Sequence, residues 1–253
     1  MEPADWSFPT AIRFGAGRIA ELADAADAAR VRRPLVSTGP GLARLPLFAE
    51  ILEPLRRSGL DHAVSDGVHP NPVGADVDAG IEAFRQGGHD GVIAVGGGSA
   101  LDVGKIVAFQ AGQTRPVWDF EDVGDNWRHA DATAIAPVIA VPTTAGTGSE
   151  VTPVAVITTG ATTKAGVSST VLLPDVAVLD ADLTLGLPPA VTAMTGVDAM
   201  VHAIEAYTSR HKKNPVSDNL ARQALQLLGG SIRTAVHKGA DQEARANMLL
   251  GAT

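Results

Sequence analysis

A doubly wound parallel α/β sheet followed by an all-helical region is the fold class this sequence predicts, on three observations. Short apolar runs, mostly β-branched, alternate with helix-length segments from Ala11 to Thr158. Strand signals then cease, and from about Pro188 onward the apolar residues keep helical spacing. Glycine-rich and hydroxyl-rich stretches directly follow two of the runs, where an open parallel sheet carries its ligand loops.

The elements follow in order. Ala11–Gly15 reads as a short strand and Gly17–Ala29 as a helix; Pro34–Thr38 is a strand closed by Gly39-Pro40-Gly41. A helix is expected over Leu45–Arg57, a strand over His62–Ser65, a turn at Asn71-Pro72 and a helix over Val73–Gln86. Val92–Val95 is too short for a helix and reads as a buried parallel strand. Gly96-Gly97-Gly98 follows, and an amphipathic helix is predicted from Ser99 to Phe109, with Ser99 as N-cap and Asp102 in the partner position three residues on. Gln113–Asp131 has no period and is expected to be an irregular loop. Pro137–Val141 and Val154–Thr158 are the last strands, and Pro189–Ser209, Pro215–Leu228 and Asp241–Gly251 are helices. The boundary is placed between Leu183 and Pro189, giving domains 1–185 and 186–253.

Composition narrows the function classes. A formal net charge of −8 argues against a nucleic-acid or anionic-membrane partner, which needs a concentrated basic surface. With no cysteine there is no disulfide framework, thiolate metal site or cysteine nucleophile. Met1–Trp6 lacks the basic start and apolar core of a signal peptide, and no apolar run reaches membrane-spanning length, so the expected location is cytoplasmic.

Three stretches could carry chemistry. A strand entering a helix through a glycine turn aims unpaired N–H groups and the positive end of a helix dipole at one point, which suits a phosphate; such a turn can also bind nothing. Pro142-Thr143-Thr144-Ala145-Gly146-Thr147-Gly148-Ser149-Glu150 follows the next strand, either as a hydroxyl-rich turn or as the second wall of the same pocket. Asp198 and His202, four residues apart, share one helix face about 6 Å apart along the axis. Their neighbours are nearly all apolar, which predicts a buried helix in which both need a partner. That partner is a divalent cation, Fe²⁺ or Zn²⁺, or simply the other residue through a hydrogen bond. Glu205 on the same face is an outer partner or a surface acid.

Together these motifs, with Leu173-Pro174-Asp175 and Leu187-Pro188, resemble the iron-containing (group III) alcohol dehydrogenase family from about Phe8 to the last residue. The resemblance implies a Rossmann-like dinucleotide-binding domain and a helical domain in a dehydroquinate synthase-like architecture, with a metal in the cleft between them. It implies interconversion of small alcohols and aldehydes or ketones with NAD or NADP, the metal serving as Lewis acid to the alcohol oxygen. By position, Gly97, Gly98 and Ser99 would face the pyrophosphate, with Asp102 in the same motif. Asn71, Thr143, Thr144 and Thr147 would line the cofactor, and Lys164 would reach its ribose. Asp198 and His202 would be the first two metal ligands. A homodimer is the family habit.

Two departures qualify the match. Family members that prefer NAD carry an acid near Gly39, and Thr38-Gly39-Pro40 has none, so NADP is expected to be tolerated. The family's two further histidine ligands have no counterpart, since His211 and His237 are not at family spacing. The sequence stops at Thr253 within a continuing helical pattern and is expected to lack the family's C-terminal part, as a fragment or by natural truncation. A metal-independent reductase resembling maleylacetate reductase, and a nucleotide-binding module without catalysis, are the alternatives.

Overall fold

The computed structural model describes residues 9–159, 163–210 and 213–253; Met1–Trp6 and His211 therefore lie outside the described residues. Eight strands and eight α-helices are described: β1 (Ala11–Phe14), α1 (Leu22–Ala28), β2 (Pro34–Ser37), α2 (Pro40–Ala43), α3 (Pro46–Ser58), β3 (Ala63–Ser65), α4 (Gly74–Gly87), β4 (Gly91–Gly96) and α5 (Gly98–Gln110) come first. After an irregular segment come β5 (Val138–Pro142), β6 (Val154–Thr159), β7 (Thr163–Ser168), β8 (Val176–Leu179), α6 (Pro189–Thr208), α7 (Pro215–His237) and α8 (Gln242–Ala252).

Six strands form one parallel sheet in the order β1-β8-β5-β4-β2-β3. Successive side chains on a strand point to opposite faces, and the central strands bury both. Val92 and Ala94 pack with Ile81, Phe84, Leu101 and Ile106 of α4 and α5. Ile93 and Val95 pack on the other side with Leu22, Phe48, Ile51 and Leu55 of α1 and α3. This two-sided cover is why β4 and β5 read as unbroken apolar runs. A third cluster joins Ala177 and Leu179 of β8 to Leu228, Met248 and Leu249 of α7 and α8. The helix ends have local causes: Gly59, at φ +73°, stops α3, and the Asn214 side chain accepts from the Val216 and Ser217 amides to start α7. No described helix is long and apolar enough to cross a membrane.

Five expectations need correction. The Val154–Thr158 run is a strand, but it leaves the parallel sheet and pairs antiparallel with β7, which went unpredicted. β8 was also unpredicted, and it lies between β1 and β5 with all four residues buried. Helix α5 begins at Gly98 with Gly97 as N-cap, so Ser99 lies inside the first turn. The same helix is not amphipathic: ten of its thirteen residues are buried, because the sheet covers one side and the β6–β7 ribbon meets another. Helix α6 is not buried all round. A stripe of small residues (Thr192, Gly196, Ala199, Ala203) packs inward, while Met194, Val197, Val201 and Ile204 are exposed.

Candidate functional site

A cleft of about 750 Å³ opens at the carboxyl ends of β4 and β5, between the glycine turn, the hydroxyl-rich loop, the β6–β7 ribbon and α6. Asn71, Gly98, Ser99, Asp102, Thr147, Lys164, Asp198 and His202 all line it. Gly97, Thr143 and Thr144 stand just behind the wall. The Thr143 amide donates to the Gly96 carbonyl at 2.9 Å, and Thr144 packs over Gly97. Gly39 lies away from the cleft lining, at the end of β2.

The phosphate-binding geometry follows from how α5 starts. The Ala100 and Leu101 amides already turn back to the Gly97 carbonyl, at 3.0 and 3.2 Å. The Gly98 and Ser99 amides precede them in the first turn, where N–H groups have no intrahelical acceptor, and both residues line the cleft. A Cβ on Gly98 would come within 2.6 Å of the Thr147 methyl, so only glycine lets the hydroxyl-rich loop close over the helix start.

That loop is tied to α5 by charge. Asp102 accepts from the Ser149 hydroxyl at 2.5 Å and from the Val156 amide at 3.1 Å, so both carboxylate oxygens are engaged by protein groups. Behind it the buried Lys105 ammonium donates to the carbonyls of Ser149, Thr152 and Val154. Burial pulls the Lys105 ammonium below the ordinary lysine range, against the opposing attraction of Asp102 and Glu150. Glu150 is buried too, and desolvation raises its carboxyl above the usual range despite a hydrogen bond from the Thr253 hydroxyl. Neither Lys105 nor Glu150 was assigned a role from the sequence. Apart from Asp102, three residues before Lys105, their partners are backbone groups or residues far along the chain, which no local pattern marks.

At the rim, Asn71 takes a left-handed φ of +53°, which asparagine tolerates. The Thr158 amide donates to the Pro72 carbonyl at 2.7 Å, and Thr158 stands opposite Lys164 in the ribbon. Asn71 and Lys164 thus approach the cleft from one side.

Across from them, Asp198 Oδ1 and His202 Nε2 stand 3.8 Å apart, each side chain about half exposed. As a metal site the pair fits in kind and falls short in number. Carboxylate oxygen and imidazole nitrogen suit Fe²⁺ or Zn²⁺, but a catalytic ion is ordinarily held by three protein donors. No group of three or more His, Cys, Asp or Glu placed to hold a metal occurs among the described residues. Glu205 is exposed and does not line the cleft.

Comparison with known proteins decides the family. "Iron-containing alcohol dehydrogenase" matches residues 9–181, and the C-terminal part of the Fe-containing alcohol dehydrogenase family matches residues 192–253. The chain belongs to the iron-containing alcohol dehydrogenase family. Among this family's members, long-chain-alcohol dehydrogenase 1 of Geobacillus thermodenitrificans is 39% identical over 251 residues, covering 99% of this chain and 62% of the relative. The crystal structure of a 1,3-propanediol oxidoreductase superposes with a TM-score of 0.92 at 34% identity, over 99% of this chain and 64% of that one. Sulfoacetaldehyde reductase from Bifidobacterium kashiwanohense, solved in complex with NAD⁺, gives 0.90 at 33% identity, over 100% of this chain and 66% of that one. This alcohol dehydrogenase family chain therefore spans under two thirds of the length of these relatives.

Proposed function

We propose that this chain carries the dinucleotide site, and two donors of the metal site, of a cytoplasmic oxidoreductase that interconverts a small alcohol with its aldehyde or ketone using NAD or NADP. One observation carries the reading: Gly98 and Ser99, whose amides belong to the unpaired first turn of α5, line the same cleft as the Asp198–His202 pair. In this reading the α5 N-terminus binds the pyrophosphate and the Thr147 hydroxyl lies along the cofactor. Lys164 reaches a ribose from the ribbon, and residues 1–185 and 186–253 act as the dinucleotide and metal-substrate domains. Asp198 and His202 would hold an iron or zinc ion once a further donor completes the site. Such an ion supplies Lewis acidity toward an alcohol or carbonyl oxygen. The working protein is read as a homodimer, as the family resemblance implies.

Tolerance of NADP is supported at Gly39. No carboxylate stands there to repel a 2′-phosphate or to accept from a free 2′-hydroxyl. A Cβ on residue 39 would also lie 2.8 Å from the Val68 carbonyl oxygen, so the backbone leaves no room for an acid in this arrangement. Titration of the chain with NADH and NADPH, followed by nucleotide fluorescence, tests the proposal: saturable binding of both is expected. Failure to bind either dinucleotide refutes the reading, and binding of NADH alone refutes the cofactor assignment.

A further inference from the structure

Lys105 is buried, 1% exposed, yet its ammonium lies directly behind the cleft floor. Gly98, Asp102 and Lys105 are spaced four and three apart and therefore line one face of α5. The first lines the cleft, and the other two grip the opposite wall. The three N–H bonds of an ammonium match three carbonyls here: Val154 at 2.6 Å, Ser149 at 2.9 Å and Thr152 at 3.2 Å. The Thr152 hydroxyl and Asp102 Oδ1 complete the surroundings, each 3.4 Å away. The Ser149 and Thr152 carbonyls belong to the irregular passage from the short turn at Ser149–Val151 into β6, and the Val154 carbonyl is on the first residue of that strand, opposite Ser168 in the ribbon.

We propose that Lys105 is a positioning residue: through three carbonyls its ammonium fixes residues 149–154 against α5 and so sets the width of the dinucleotide cleft. The inference rests on the reading above. Asp102 catches donors in the same segment and just beyond it, the Ser149 hydroxyl and the Val156 amide of β6, while Lys105 catches the segment's acceptors. The segment is thereby held at both polarities by one rigid helix, the helix whose first turn forms the other side of the cleft. Charge-assisted bonds of this kind are about twice as strong as neutral ones.

A purely stabilising ion pair makes a different prediction from a staple. Lys105→Met keeps the stem and removes the ammonium, and Ile51→Val lowers stability from the far face of the sheet. In the staple, Lys105→Met speeds amide exchange across residues 147–156 by about tenfold or more while Val92–Val95 stays slow. It also weakens NADH and NADPH by about tenfold, and Ile51→Val does neither. Unchanged exchange in the loop, or exchange rising equally in loop and sheet, overturns the proposal. Lys105→Arg keeps the charge but cannot place three donors at one point; it gives a smaller change of the same sign and serves if the methionine variant does not fold. An arginine variant with native loop exchange overturns the proposal equally. Should the unaltered chain bind no dinucleotide, the functional reading falls, and loop exchange alone decides the role of Lys105.

Discussion

Asp198 Oδ1 and His202 Nε2 face each other at 3.8 Å, one helical turn apart on α6, across the cleft from the first turn of α5. The distance is long for a hydrogen bond, and both groups are open to the cleft. Two donors so arranged can share one ion. Replacing Asp198 by Ala should reduce Zn²⁺ or Fe²⁺ affinity by at least the ~10–100-fold that loss of an outer partner costs. Calorimetric titration of the chain and the variant checks this. Equal affinity would mean that the ion binds elsewhere.

Gly39 and the Val68 carbonyl give the second prediction. Gly39→Asp brings a carboxylate to the end of β2 and pushes its Cβ against the Val68 oxygen, 2.8 Å away. Val68 is itself held by donating its amide to the Thr38 carbonyl at 3.2 Å, so the contact is not relieved without moving that loop. NADPH binding should weaken by about tenfold or more relative to NADH, with about 1 kcal/mol of stability lost. Gly39→Ala separates the causes, since it introduces the contact without the charge and should lower stability while leaving the NADH to NADPH ratio unchanged. The two dissociation constants and a urea titration for each variant decide it.

What could be read from the sequence was what is local. The β4 run, its three glycines and the helix after them sit within one short window, and their placement needs no distant partner. β8 was not legible even though Val176–Leu179 is an unbroken apolar run like that of β4, because no glycine turn and long helical pattern follow it to mark it as a strand. β7 hides for another reason. Only Ala165 and Val167 are buried, and the residues around them (Thr163, Lys164, Gly166 and Ser168) are polar or small. On α6 the large apolar residues set the helical pattern yet face outward, whereas the contact stripe is made of the small ones, which allow close packing against α7. The Lys105 staple was invisible in principle, since its partners are main-chain carbonyls 44–49 residues away and carbonyls leave no mark in a sequence.

Glu150 supplies a pH signature. Burial raises its carboxyl above the ordinary value of 4.5, with the Thr253 hydroxyl and Lys105 pulling it partly back. A folded-state value above the unfolded one means that this group favours folding fully below the unfolded value, and that the contribution is lost as pH rises through the folded one. Glu150→Gln removes the titration. Its stability relative to the unaltered chain should therefore improve steadily from acid toward neutral pH, as followed by unfolding midpoints across that range. A difference independent of pH would show that Glu150 does not titrate differently in the two states.

Asp180 gives the last prediction, and the largest in stability. It follows β8 directly and is fully buried. Oδ1 accepts from the Gly17 amide at 3.1 Å and from the Asp182 amide at 3.0 Å, and Oδ2 accepts from the Ile19 amide at 2.9 Å. The Gly17 and Ile19 amides lie in the turn after β1, so one carboxylate clamps the turn that follows the edge strand to the strand beside it. Asp180→Ala takes the charged acceptor from three part-buried amide bonds, bonds to a charged group being worth about 1.5–3 kcal/mol each, and should lower stability by about 3 kcal/mol or more. Asp180→Asn retains one acceptor oxygen and gives up the charge, so it should recover only part of that loss. The urea midpoint should fall in the order native, Asn, Ala with the slope unchanged; an alanine variant within about 0.5 kcal/mol of native, the usual span of a surface substitution, would show that these amides find other acceptors and that the clamp is dispensable.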